Sequence, residues 1–173
     1  MYVRFDADNR EGKVLLHWLS ELEERDKGGR AELRRAASIQ QALMCPAFHR
    51  LRRRLEALSP EWTDYLQSPY RQDRLAAACA LMVHVRSPGA YDLPHAMSQR
   101  ALGDERNRVS ELRFRRLLDA PDDEALFSGL RRAMPMISDQ VDPLKVAEAM
   151  LHWGDRLKRE WAYAYAWPDK KQA

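Results

Sequence analysis

Arginine is the residue type with the most chemistry to offer in this sequence. The chain carries 23 arginines against only 6 lysines. A guanidinium grips phosphate through a planar fork and stacks on bases, so the excess points toward nucleic acid. A GC-rich genome enriches arginine too, so placement along the chain carries the argument. Between Gly28 and Ser59, seven arginines (Arg30, Arg34, Arg35, Arg50, Arg52, Arg53 and Arg54) face only Glu32 and Glu56. From Arg100 to Leu118, six arginines face three acids, and Arg131-Arg132 stand alone in the acidic stretch from Asp119 to Asp142. The segment from Asp6 to Asp26 is acidic in turn, with seven acids against three bases. A formal net charge of +3 therefore hides strong segregation. Segregation matters because salt-dependent phosphate binding scales with the cations along one track, not with total charge. Arg30 and Arg34 are four apart and Arg113 and Arg116 three apart, spacings that share a helix face. A helix continuing from Arg108 would also align Arg108 with Arg115. Such rows follow a backbone without reading bases. The alternative is a solvated face paired with nearby acids.

Other reactive types are sparse. The histidines His17, His49, His84, His95 and His152 form no metal-binding spacing, and none pairs closely with a cysteine. A histidine acid or base for RNA cleavage is chemically feasible, but no positioned partner is visible in the sequence. Asp122-Asp123-Glu124 follows Pro121 and reads as a helix start rather than a metal site. Cys45 and Cys79 stand far apart and suit a reducing compartment. Trp153, Trp161, Tyr163, Tyr165 and Trp167 could stack bases. Trp161 falls on an apolar stripe, however, which favours core packing or a protein interface. No catalytic residue, cofactor or metal is expected.

The elements that must hold these side chains are helical throughout, with no alternating strand pattern. Helices are predicted over Asn9–Arg25, ended by Gly28-Gly29, over Arg30–Met44, and through Phe48, Leu51, Leu55 and Leu58. Ser59-Pro60 and Ser68-Pro69 each start another, by serine cap and first-turn proline. Further helices are expected over His95–Leu102 and Arg108–Leu118, then from Asp122-Asp123 to a break at Pro135. The last and longest would run from Asp142-Pro143 to Pro168. The reading is all-α, two packed bundles of about eight to nine helices, divided into residues 1–92 and 93–173 near the Ser87–Pro94 loop. The N-terminus has no apolar signal region, and Leu75–Val85 is too short to span a bilayer. A cytoplasmic protein without membrane contact is expected.

Several local patterns, taken in order, agree with one family. They are Leu33-Arg34-Arg35 followed by Pro46-Ala47-Phe48-His49-Arg50; Arg100-Ala101-Leu102; Arg108-Val109-Ser110-Glu111-Leu112-Arg113-Phe114 leading to Leu117-Leu118; Leu130-Arg131-Arg132; and Leu151-His152-Trp153-Gly154 with Trp161-Ala162-Tyr163. In these the chain resembles the CasB small subunit of type I-E CRISPR Cascade, a guide-RNA surveillance complex for DNA. The resemblance implies a non-catalytic, two-bundle helical subunit that dimerises within the complex, against the backbone and large subunits. It also implies a basic face that stabilises the guide RNA–target DNA complex and the displaced single-stranded DNA during antiviral defence. Arg34, Arg35, Arg50, Arg100, Arg108, Arg113, Arg131 and Arg132 fall in the matching stretches. Arg52, Arg53, Arg115 and Arg116 join the candidate site on charge clustering alone. The competing readings are a small histidine-dependent ribonuclease and a helical protein-interaction adapter.

Overall fold

The helix at the centre is the one that is apolar all round. In the computed structural model, which describes residues 1–169, every residue from Leu75 to Met82 is buried. A helix with no polar face must be enclosed on all sides. This one spans Pro69–Met82 and is the sixth of eleven among the described residues. Before it come α1 (Arg10–Glu24), α2 (Lys27–Arg35), α3 (Ile39–Leu43), α4 (Pro46–Glu56) and α5 (Pro60–Tyr65). After it, as α6, come α7 (Leu93–Ser98), α8 (Glu111–Leu118), α9 (Asp123–Ile137), α10 (Pro143–Leu151) and α11 (Asp155–Ala164). The fold is all-α, and eight of the helices have seven residues or more. Ala76, Ala77, Ala78 and Ala80 keep α6 slim, and α10, α3 and α9 lie against it. Side chains from both sides of the 92/93 boundary join one core.

The helix starts follow cap chemistry. Asn9 accepts from the Gly12 N–H at 2.7 Å and Asp122 from the Ala125 N–H at 2.7 Å. Pro60 and Pro69 sit in first turns as expected, although neither preceding serine caps with its side chain.

Several helix boundaries differ from the sequence reading, each for a physical reason. Gly28-Gly29 open α2 rather than close α1, because Asp26 caps α2 by accepting from the Gly29 N–H at 2.9 Å. A β-carbon at Gly29 would stand 2.4 Å from an Asp26 carboxylate oxygen, so a larger residue there would push the capping side chain aside. The predicted Arg30–Met44 helix divides at Ala36–Ser38, where Ser38 caps α3 and the Glu124 carboxylate takes the Ile39 N–H at 3.1 Å. Pro135 does not break α9. It removes one N–H donor, but Leu130, Ala133, Met134 and Ile137 are buried on both sides of it and hold the last turn. The predicted final helix is two, α10 and α11, parted at His152–Gly154. There the buried Arg74 of α6 donates to the Leu151 and Trp153 carbonyls at 3.2 and 2.9 Å, which favours an irregular turn at that point.

One boundary bears on the candidate site. The expected His95–Leu102 helix ends at Ser98, and α8 begins only at Glu111. Between them runs a loop that turns at Gly103, whose φ of 82° lies in the left-handed region. The Arg108 and Val109 N–H groups donate to the Gln99 and Met97 carbonyls at 2.9 and 3.0 Å. Arg108 is thus off the helix, and its expected alignment with Arg115 does not occur.

Candidate nucleic-acid interface

The two halves of the first arginine cluster meet different fates. On α4, the apolar stripe Ala47, Phe48, Leu51 and Leu55 faces the core, and Trp18 of α1 donates to the Ala47 carbonyl at 3.0 Å. That packing brings α4 beside the acids of α1 and the α1–α2 junction. Arg50 pairs with Asp26, Arg54 with Glu21, and Arg52 with Glu56 at 2.9 Å. The hydrogen bond from Arg54 holds the Glu21 carboxyl below its ordinary range. Among the α4 arginines, Arg53 alone is exposed with no carboxylate partner among the described residues.

Arg34 and Arg35 stand at the other end of α2, exposed in its last turn. Their position offsets the negative end of the helix dipole. Arg131 of α9 reaches across to the Arg35 carbonyl at 3.5 Å. Arg34, Arg35, Arg131, Pro135 and His84 line one open depression. Arg132 follows Arg131 in sequence and is exposed. One turn further along α9, Met136 receives Arg113 of α8 on its sulfur at 3.4 Å and Arg108 on its carbonyl at 3.1 Å. From Arg131 to Met136 is about 7.5 Å along a helix that rises 1.5 Å per residue. The α2 and α8 arginines therefore both meet α9, forming a strip that winds partly round it, because five residues turn about 140° net.

Members of the strip are not equivalent. Arg108 also binds Asp139 at 2.7 Å and is only 21% exposed, so it ties the loop to the end of α9. Arg115 pairs with Glu111 at 2.8 Å and lies 5.1 Å from the Trp167 ring. Arg34, Arg35, Arg113, Arg116 and Arg132 are exposed and have no carboxylate partner among the described residues. Arg100 lies in the same loop as Arg108, its backbone bridged to Asn107.

The sequence profile of the CRISPR-associated protein Cse2 family matches residues 29–165. The chain belongs to that family. All twelve candidate arginines lie inside the matched span, while the Asp26 and Glu21 partners of α4 lie before it. A chain in a crystal structure of E. coli Cascade bound to a PAM-containing dsDNA target superposes with a TM-score of 0.64. The two are 20% identical, over 87% of this chain and 92% of that one, which is a likeness of fold. No curated protein sequence matches.

Within this Cse2 chain, the remaining candidate chemistry resolves into structure. Trp161 and Tyr165 are buried, and Tyr165 stacks on Phe114 at 3.9 Å while donating its hydroxyl to the Val109 carbonyl at 2.7 Å. The acidic triplet is divided among three tasks. Asp122 caps α9, Asp123 takes Arg74 through two hydrogen bonds of 2.8 Å, and Glu124 caps α3. Sequence reading passed over Arg74, whose one signal is a cation at the edge of a continuous apolar run. It also passed over His84 as a member of the arginine site. The other histidines have partners, His49 at the Leu43 carbonyl (2.7 Å), His152 at the Val3 carbonyl, His17 at Glu21 (3.3 Å) and His95 at Asp92 (2.6 Å). Among the described residues, no cluster of three potential metal ligands occurs, and no helix is long and apolar enough to cross a membrane.

Proposed function

We propose that this protein is the small subunit of a type I-E Cascade surveillance complex and that it is not itself an enzyme. Its strip of arginines on α2, α9 and α8 holds single-stranded DNA by the phosphates, chiefly the strand displaced from an opened target. The observation that carries this reading is that the α2 and α8 arginines both meet α9, most of them without carboxylate partners. Guanidinia on rigid helices lose little freedom when they bind phosphate, and phosphate contacts need no particular base sequence. Exchange of a DNA duplex for a guide–target hybrid is nearly balanced, so several such contacts can tip it. Guide pairing supplies the specificity. The partners in this reading are the guide RNA–target DNA complex, the backbone and large subunits, and a second copy of the chain, all in the cytoplasm.

The test is reconstitution with the other Cascade subunits, guide RNA and target duplex. Replacing Arg34, Arg35 and Arg132 together by Gln shortens the lifetime of the opened target and exposes the displaced strand to a single-strand nuclease. An unchanged lifetime and footprint would remove the strip from the mechanism. A histidine-dependent ribonuclease finds its shortest histidine–carboxylate contact at His95 Nδ1–Asp92 Oδ1, 2.6 Å. The same oxygen caps α7 by accepting from the His95 N–H at 3.1 Å. RNA cleavage that disappears in His95→Gln would favour the enzyme reading.

A further inference from the structure

His84 follows the end of α6 and exposes only 9% of its surface. Its Nε2 is shut off from solvent and has no hydrogen-bond partner, and the same holds for Arg131 Nε. Buried polar atoms are nearly always paired, so two unpaired ones at one depression call for an explanation. The cations around them are equally unanswered. Arg30, Arg34 and Arg35 come from α2 and Arg131 from α9, and no carboxylate among the described residues pairs with any of them. At several other places this fold sets carboxylates against its arginines, as at Arg50–Asp26, Arg54–Glu21 and Arg74–Asp123. Here an anion must come from outside, and a tetrahedral oxyanion fits convergent guanidinium forks.

We propose that this depression is a discrete phosphate seat, in which Arg34, Arg35 and Arg131 hold one phosphate group while His84 takes up a proton from solvent. The seat rests on the preceding reading only for the source of its ligand, a phosphodiester of the bound strand rather than free phosphate. The proton follows from the electrostatics. Burial, then the fields of Arg34, Arg131 and Arg30, push His84 down to about 4, so it is neutral in the free protein. No carboxylate contributes to that environment. A bound phosphate offsets part of the arginine field, and that favours the imidazolium. A group that protonates more readily in the complex makes binding tighter as pH falls, by at most about tenfold per pH unit for one proton.

The test uses the full chain with inorganic phosphate and an unphosphorylated single-stranded oligonucleotide as separate probes. The His84 imidazole is followed by NMR through a pH titration, and oligonucleotide affinity is measured at each pH. Both probes raise the His84 titration midpoint. Between pH 7 and 5.5 the wild-type chain gains roughly three- to tenfold more affinity for the oligonucleotide than His84→Gln does. Exposed Arg34→Gln with Arg35→Gln leaves the core untouched and abolishes the midpoint shift, which keeps the test valid even where His84→Gln folds poorly. If inorganic phosphate moves the midpoint and the oligonucleotide does not, the seat stands with free phosphate as its ligand, and strand binding there falls. If the oligonucleotide binds through the arginines while the midpoint stays fixed and the two pH slopes coincide, the seat is overturned and strand binding stands.

Discussion

The α4 arginines and those of the α2–α9–α8 strip look alike as sequence, yet the fold gives them opposite surroundings. Both groups sit on amphipathic helices whose apolar faces are buried. On α4, Arg50, Arg52 and Arg54 each meet a carboxylate. Along the strip, Arg34, Arg35, Arg113, Arg116 and Arg132 meet none among the described residues. Arg74, buried against Asp123, is the limit of the paired kind. The density of arginine in a segment therefore does not decide whether it can hold a phosphate. What decides is whether packing sets an acidic element beside it. Glu21 of α1, Asp26 at the α1–α2 junction and Glu56 of α4 itself neutralise three of the four α4 arginines, so a cluster that dominates the local charge of the sequence contributes little to the outer field.

The division between paired and free arginines can be broken most directly at its buried extreme. Asp123→Ala strands the Arg74 guanidinium among apolar neighbours and is expected to cost about 3–5 kcal/mol, read from the urea midpoint. A cost under about 1 kcal/mol would mean that pairing does little for the fold.

Next in size is the pH response of His84, which tests whether the free arginines impose a real field. Its folded value near 4 lies below its ordinary 6.5. The unfolded chain therefore binds the proton first, and stability present above about pH 6.5 is lost as pH falls toward 4. The loss is up to about 3 kcal/mol. His84→Gln flattens that part of the stability profile, and adding back acids nearby, as in Arg34→Glu, moves the His84 midpoint up.

The strip itself is tested by Arg34→Gln, Arg35→Gln and Arg132→Gln in combination. Single-stranded DNA affinity should fall about tenfold or more, and the slope of log K against log salt should flatten by about 2. The melting temperature should hardly move. The smallest effect belongs to Arg50→Gln with Arg54→Gln. It should leave the melting temperature nearly unchanged and change the salt slope much less than the strip variant does. A larger slope change from α4 than from the strip would reverse the comparison.

Much of this was written locally in the chain. The apolar spacing of Leu15, Trp18 and Leu22, the first-turn prolines and the Asn9 and Asp122 caps specify helices through contacts a few residues apart. So the all-α class and most element positions were legible, as was the segregation of charge. The misread boundaries were those settled at long range. Arg74 reached across from α6 to split the last helix, Glu124 pinned the start of α3, and buried neighbours carried α9 through Pro135.

The candidate site divides in the same way. Sequence by itself determined how many arginines there are, which ones share a helix face, and that acids gather elsewhere. Only the tertiary structure decided that α4 lies against the acids of α1, that Arg108 serves as a tie, and that Arg131 brings α2 and α9 together over His84. The reason is physical. Helix geometry is set within a turn or two, whereas the free charge of a guanidinium depends on which carboxylate stands within a few ångströms, and packing chooses that neighbour.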